Sequence, residues 1–366
     1  MTRVNGSITE LPPRMRAHLA AASPAATQAW PACFAILDSG GQSLAQQQDL
    51  PIFSTMLDAV ARTALLRDPG DTWRDGQLYL SNDPYLGGVG LATIAMVAPV
   101  FVQGRLLAFA GGALRLSDIG AMRKDIFTFG REIMHEGVRL SGLRVDLERG
   151  QLPEMLQHYL AANVRDPRLI LPALNRLAAT LVETTLDTDP AALERRSREM
   201  HDAAASALAK LTLAPTGRAQ EGTDAGLELQ FEKTDCQIRV TGNAVPMDPD
   251  GRNAPLSAIR AGVVSALAEA AGECPSVLNA SVVLDIPARS RFNIAYPAAA
   301  AGAGWGAFLS YQATAQALDR TPALDPTQFT GAPPPSPPHP TAETLRGASP
   351  RCTTAAANPS RSWPKT

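Results

Sequence analysis

The alternation of apolar and polar positions changes its period along the chain. From residue 33 the order CFAILDSGGQSLAQQQ sets an apolar run, a turn at Asp38-Ser39-Gly40-Gly41 and a second short run, which predicts a β-hairpin whose glycines accept positive φ. Between 51 and 67 the apolar residues Ile52, Met56, Leu57, Val60, Leu65 and Leu66 recur at helical spacing, with Pro51 near the start and Pro69-Gly70 at the end. Strand-like runs follow at Gln77 to Leu80, Ile94 to Val102 and Arg105 to Ala110, with Gly104 turning the last two into a hairpin.

From Leu152 the period becomes helical. Leu152, Met155, Leu156, Tyr159 and Leu160 are assigned to one helix face, and a second helix runs from Arg168 to about Thr185. A third starts after Asp189-Pro190, an N-cap followed by proline at the first helical position. Its cluster Glu194, Arg195, Arg196, Arg198 and Glu199 reads as a solvated face. Residues 215 to 226 read as a loop. Strands follow at Leu227 to Phe231 and Gln237 to Val240, then a helix from Leu256 to about Ala270 and a strand at Ser281 to Ile286. From Gly331 the chain is rich in Pro, Ala, Ser and Thr, which predicts disorder because too little apolar surface is present to offset the ordering entropy. The fold class expected is mixed α/β (α+β). Its parts are an N-terminal segment (1–29), a region that is sheet-containing to about 150 and helical to 214 (30–214), a smaller α/β region (215–330) and a disordered tail (331–366).

Composition narrows the function classes. The chain has 366 residues, 45% of them hydrophobic, and a net charge of −2, so it lacks the basic excess of a nucleic-acid binder. The N-terminus has no apolar core of a signal peptide. The uncharged run Phe292 to Leu318 is mostly Ala and Gly and carries Asn293, Pro297, Gln312 and Gln316, a poor composition for a bilayer span. Cys33, Cys236, Cys274 and Cys352 stand far apart with no C-x-x-C pair; reduced thiols and a cytoplasmic setting are expected. The P-loop, the dinucleotide fingerprint, the G-x-S-x-G elbow and H-E-x-x-H are all missing. Of the five histidines, His18, His135, His158, His201 and His339, none is placed in a triad by spacing.

The most informative stretch is SNDPYLGGVGLATIAMVAPVFV, residues 81 to 102. Asn82, Asp83 and Tyr85 form a turn after a strand, and Gly87 and Gly88 let the backbone pass close to another element. Around it stand CFAILDSGGQSLAQ from Cys33, Pro69-Gly70-Asp71-Thr72, Gly104-Arg105-Leu106-Leu107, Asp118-Ile119-Gly120, Glu132-Ile133-Met134-His135-Glu136-Gly137-Val138-Arg139, Asn163-Val164-Arg165 and the loop from Pro297. In this order the set resembles the hydantoinase B/oxoprolinase family (N-methylhydantoinase B type) over roughly residues 30 to 315, in a divergent and C-terminally truncated form.

The resemblance implies a subunit of an ATP-dependent complex that opens cyclic amides such as hydantoin or 5-oxoproline, or of a related ketone carboxylase. ATP is expected on a hydantoinase A-type partner, in keeping with the absence of a P-loop here. Other expected partners are the small cyclic amide or ketone itself, and neither nucleic acid nor membrane. The family's divalent-metal ligands, two His and one Asp, fall on Gly90, Thr93 and Arg115 of this sequence. Glycine has no ligand atom, the threonine hydroxyl is neutral, and arginine has no lone pair to give, so the metal is expected to be lost. Arg115 is also open to an anion-pocket reading, for a carboxylate or phosphate. Asp118 and His135 remain, either as a general acid–base pair or as a turn cap and a packed imidazole beside the Glu136-Gly137 bend. Three functions stay in view: a working subunit, a degenerate non-catalytic copy with a binding or scaffolding role, and a stand-alone metal-free hydrolase.

Overall fold

The computed structural model describes residues 4–22, 30–122, 130–187, 190–220 and 226–330, all within one compact unit. The tail from 331 and the Asp189 cap lie outside the described residues. The chain opens with β1 (Val4–Gly6) and α1 (Leu11–Ala22), then the expected hairpin β2 (Ala32–Asp38) and β3 (Ser43–Gln48), and α2 (Met56–Arg67). Strands β4 (Gln77–Ser81), β5 (Thr93–Val102), β6 (Arg105–Arg115) and β7 (Leu143–Asp146) follow. Helices α3 (Glu154–Asn163) and α4 (Pro167–Val182), the short β8 (Thr184–Leu186) and α5 (Pro190–Lys210) complete the first half. The second half holds β9 (Thr216–Ala219), β10 (Leu227–Lys233), β11 (Ile238–Gly242), α6 (Leu256–Ala271), α7 (Pro275–Asn279), β12 (Val282–Asp285), α8 (Ala303–Ala317) and α9 (Pro326–Thr330).

The larger sheet has the order β3-β2-β6-β5-β4-β7 and every neighbouring pair is antiparallel. Its strands are apolar on both phases of their alternation because both faces are covered. Phe34, Ile36, Ile94, Met96, Ala110 and Leu114 pack with α1 and α4. Cys33, Ala35, Leu37, Ala95, Val97, Phe109 and Ala113 pack with α2, α6 and α8. The second sheet, β12-β11-β10-β9, covers the other side of α6 and α8. Helix α6 is therefore apolar around most of its circumference, as a helix between two layers must be. Among the described residues no helix is long and apolar enough to cross a membrane; the uncharged run Phe292 to Leu318 supplies α8.

Several local expectations are corrected. Strand β6 runs on past Ala110 to Arg115 because Gly111-Gly112 is no break. A Cβ on Gly112 would sit 2.8 Å from Leu177 Cδ1, and one on Gly111 would sit 2.9 Å from Leu37 Cδ1, so the missing side chains admit the helix on one face and the strand neighbour on the other. Residues 216–219, read as loop, form β9 against β10. Helix α4 stops at Val182 rather than Thr185, since Thr184 to Leu186 pair in parallel with β1. On α3 only Leu156 and Leu160 are buried, whereas Met155 is 82% and Tyr159 51% exposed. That helix begins at Glu154, so Leu152 lies outside its register and the buried stripe is narrow.

Candidate functional site

The turn after β4 is held by its own side chains. The Asn82 amide donates to the carbonyls of Leu91 and Val138, each at 2.8 Å, and its Oδ1 accepts from Leu140 N at 2.7 Å. Asp83 Oδ1 accepts from Tyr85 N at 3.0 Å, its Oδ2 accepts from the Ser141 hydroxyl at 2.5 Å, and Arg139 stands 3.6 Å away. Gly87 has φ 95° and lies where a Cβ would come within 2.8 Å of the Ala59 carbonyl carbon on α2; only glycine combines that φ with that approach. Replacing Asn82 with Ala leaves two buried carbonyls and one buried amide without partners. We expect a stability loss of about 2–4 kcal/mol, read as a lower urea midpoint with an unchanged slope; an unchanged midpoint would show the bonds to be dispensable.

This turn carries Tyr85 to the loop before α8. The Tyr85 hydroxyl donates to the Ala298 carbonyl, and its ring meets Tyr296 edge-on at 5.9 Å. The Arg139 guanidinium stacks over Tyr296 at 4.7 Å and Tyr85 at 5.8 Å. Burial, with Glu136 and Asp83 nearby, pushes the Tyr85 phenol up. Tyr85 therefore stays a neutral donor.

The same loop clasps the turn at Ile133–Glu136. Ile133 N donates to Pro297 O at 2.8 Å, Glu132 bridges to Ala298, and Ala300 N donates to Glu136 Oε1 at 2.7 Å. Glu136 is only 7% exposed. Burial raises its carboxyl to about 7, with the amides of Ala300 and Ala301 pulling the other way. A carboxyl poised there can take up or release a proton near neutrality. His135, its neighbour, has a buried Nδ1 with no hydrogen-bond partner. Met122, Met134 and Tyr296 stand exposed at the rim.

Asp118 is engaged elsewhere. Its carboxylate accepts from Arg165 N and Nη1, both at 2.5 Å, and from Gly120 N at 3.1 Å. Among the described residues no hydrogen bond joins Asp118 to His135. The link between them is indirect, through Met122 N, which donates to His135 O at 2.9 Å. Of the other sequence-level candidates, Asn82, Asp83, Gly87 and Gly88 shape the turn, and Tyr85 reaches the loop beside Glu136. The chemistry-bearing residue that sequence reading passed over is Glu136. It was visible only as one acid in a motif, and nothing in one dimension reports that Pro297 to Ala300 will bury it.

Gly90, Thr93 and Arg115 do come together. Thr93 is the cross-strand partner of Arg115, and Thr93 N donates to Gly90 O at 3.0 Å. As donors they do not fit a divalent cation, and no group of three His, Cys, Asp or Glu suited to a metal occurs among the described residues. Two surface clefts of about 470 and 460 Å³ lie elsewhere, one lined by Arg218, Gln316 and Arg320, the other by Asp49, Glu269 and Glu273.

Fold and site together describe an α+β scaffold that gathers distant motif segments around a near-neutral carboxyl. A family model for hydantoinase B/oxoprolinase matches residues 14–330, and the chain belongs to that family. Its fold is shared with the ATP-dependent caprolactamase of Pseudomonas jessenii (TM-score 0.59, 20% identity, over 83% of this chain and 59% of that one). It is shared also with nucleotide-free acetone carboxylase (TM-score 0.63, 17% identity, over 83% of this chain and 45% of that one). In sequence the chain is 26% identical over 151 residues to an uncharacterized protein of Methanocaldococcus jannaschii, covering 40% of this chain and 26% of that protein. It is 29% identical over 77 residues to a 5-oxoprolinase of Dictyostelium discoideum, covering 21% of this chain and 6% of that enzyme. The chain thus matches only a minor part of these two relatives' length.

Proposed function

We propose that this chain is the hydantoinase B-type component of an ATP-dependent assembly that opens cyclic amides, with ketone carboxylation as the related chemistry. ATP is held by a hydantoinase A-type partner, and the assembly works in the cytoplasm. The observation that carries the reading is the buried Glu136 carboxyl, held by the Ala300 amide and set near Tyr85, two groups from segments far from it in the chain. Opening an activated cyclic amide needs a group that removes a proton from the attacking water and returns one to the leaving nitrogen. Glu136 fills that role, and the unpartnered His135 nitrogen is a second proton site beside it. Asp118 acts through Arg165, fixing the 118–122 segment whose Met122 amide holds His135 in place.

A second reading, a non-catalytic copy with a binding or scaffolding role, is favoured by the donor-poor Gly90, Thr93 and Arg115. One experiment separates the two. The tagged chain is recovered from its own cells, its partners are identified by mass spectrometry, and ATP turnover is followed with hydantoin, 5-oxoproline, caprolactam and acetone. A hydantoinase A-type ATPase partner with turnover raised by one of these compounds is the expected result. A recovered partner whose turnover none of them changes would favour the scaffold, and recovery of no ATPase partner would overturn the assembly itself.

A further inference from the structure

Arg115 and Thr93 share one face of the larger sheet. On β6 the odd-numbered Phe109 and Ala113 pack towards α2, α6 and α8, as do Ala95 and Val97 on β5. Arg115 and Thr93 continue those two rows and sit directly opposite one another in the ladder, where paired Cβ atoms lie about 4.5–5.5 Å apart. Thr93 is 3% exposed, and its hydroxyl makes no hydrogen bond among the described residues. The Arg115 guanidinium likewise has no hydrogen bond, ion pair or ring contact among them. Burial alone depresses its pKa, with no acid close enough to oppose the shift. Beside them, the Cβ that Gly90 lacks would meet nothing within 4 Å, so the space next to Gly90 is open.

Arg115 is only half-buried, so its guanidinium still meets solvent, and a half-buried cation with no counter-charge gains by taking an anion. We infer that Arg115 and Thr93 form a binding site for a single carboxylate on a small-molecule ligand. The guanidinium fork matches the two carboxylate oxygens, and the threonine hydroxyl adds a further donor. Charge balance selects the class: one cation offsets one negative charge, whereas a phosphate dianion carries one charge more than the single guanidinium offsets. Both donors sit on paired strands, so the site is preorganised. Taken with the functional reading above, on which this extension rests, the ligand is a carboxylate-bearing cyclic amide rather than an uncharged lactam or ketone.

The test compares charged and uncharged members of matched pairs by calorimetric titration of the full chain: acetate with acetamide, and 5-oxoproline with 2-pyrrolidinone. Phosphate is titrated in parallel. Each carboxylate is expected to bind about tenfold or more tightly than its neutral partner, the size of one charge-assisted contact. That preference should vanish in Arg115→Met and fall several-fold in Thr93→Val. Equal affinity within both pairs in the unaltered chain would overturn the site, and that comparison holds even if a variant fails to fold. Tighter binding of phosphate than of acetate would refute the single-carboxylate assignment. Acetate binding that persists without any ATP-dependent turnover would sink the functional reading and leave the carboxylate site standing.

Discussion

Glu136→Gln is expected to lower turnover of the assembled complex by about 10²–10⁴-fold, the usual worth of a positioned acid or base, while leaving the fold intact. The glutamine oxygen can still accept from Ala300 N, so the clasp between the 133–136 turn and the loop before α8 survives. In the unaltered complex, activity should rise through pH 7 as Glu136 ionises, and the variant should lose that limb. The stability effect runs the other way. The Glu136 pKa is raised from 4.5 to about 7 in the folded chain, so between those values the folded state holds a proton that the unfolded state has released. Stability therefore falls as pH climbs from 4.5 to 7 and levels off above, by an amount on the order of 3 kcal/mol. The glutamine variant lacks that slope and should be the more stable chain at pH 8. Urea titrations at pH 5 and pH 8 decide it: if the pH dependence is the same in both chains, Glu136 does not titrate near neutrality and loses its assigned role.

The second large effect is structural. Gly262→Ala should cost about 3 kcal/mol, and Gly262→Leu should prevent folding, because overpacking of this severity exceeds what a core relaxes around. A Cβ at Gly262 would lie 2.0 Å from Ala307 O and 2.2 Å from Ser310 Oγ, so α6 and α8 cross almost backbone to backbone. Ser310 Oγ already donates within that contact, to Ile259 O at 3.0 Å or Ala307 O at 2.9 Å. Separating the helices would also displace the start of α8, and with it the loop that holds Glu136 and Tyr85. A Gly262→Ala chain that unfolds at the same urea concentration as the unaltered one would show that the crossing is looser than this.

What was legible in one dimension was local or compositional. The hairpin at β2–β3, the strands β4 and β5 and the helices α2, α5 and α6 follow from period, caps and turn residues, since each depends on a few neighbours along the chain. The family was readable for a related reason: its motifs are short stretches in a fixed order. The glycines misled where they stood for packing rather than turning, as at Gly111-Gly112 inside β6, because the neighbours that require them lie dozens of residues away.

By itself the sequence determined the α+β class, the order of most elements and the family to which the chain belongs. It showed also that the positions matched to the family's metal ligands are Gly90, Thr93 and Arg115, a poor donor set for a divalent metal. Only the tertiary structure decided that Asp118 is taken up by Arg165, that Thr93 faces Arg115 with both side chains unpartnered among the described residues, and that Glu136 is buried with its carboxyl raised to about 7. Burial and pairing are set by segments such as Pro297 to Ala300, brought from far along the chain. Desolvation by those segments is what moves a carboxyl from an ordinary acid to one that titrates near neutrality.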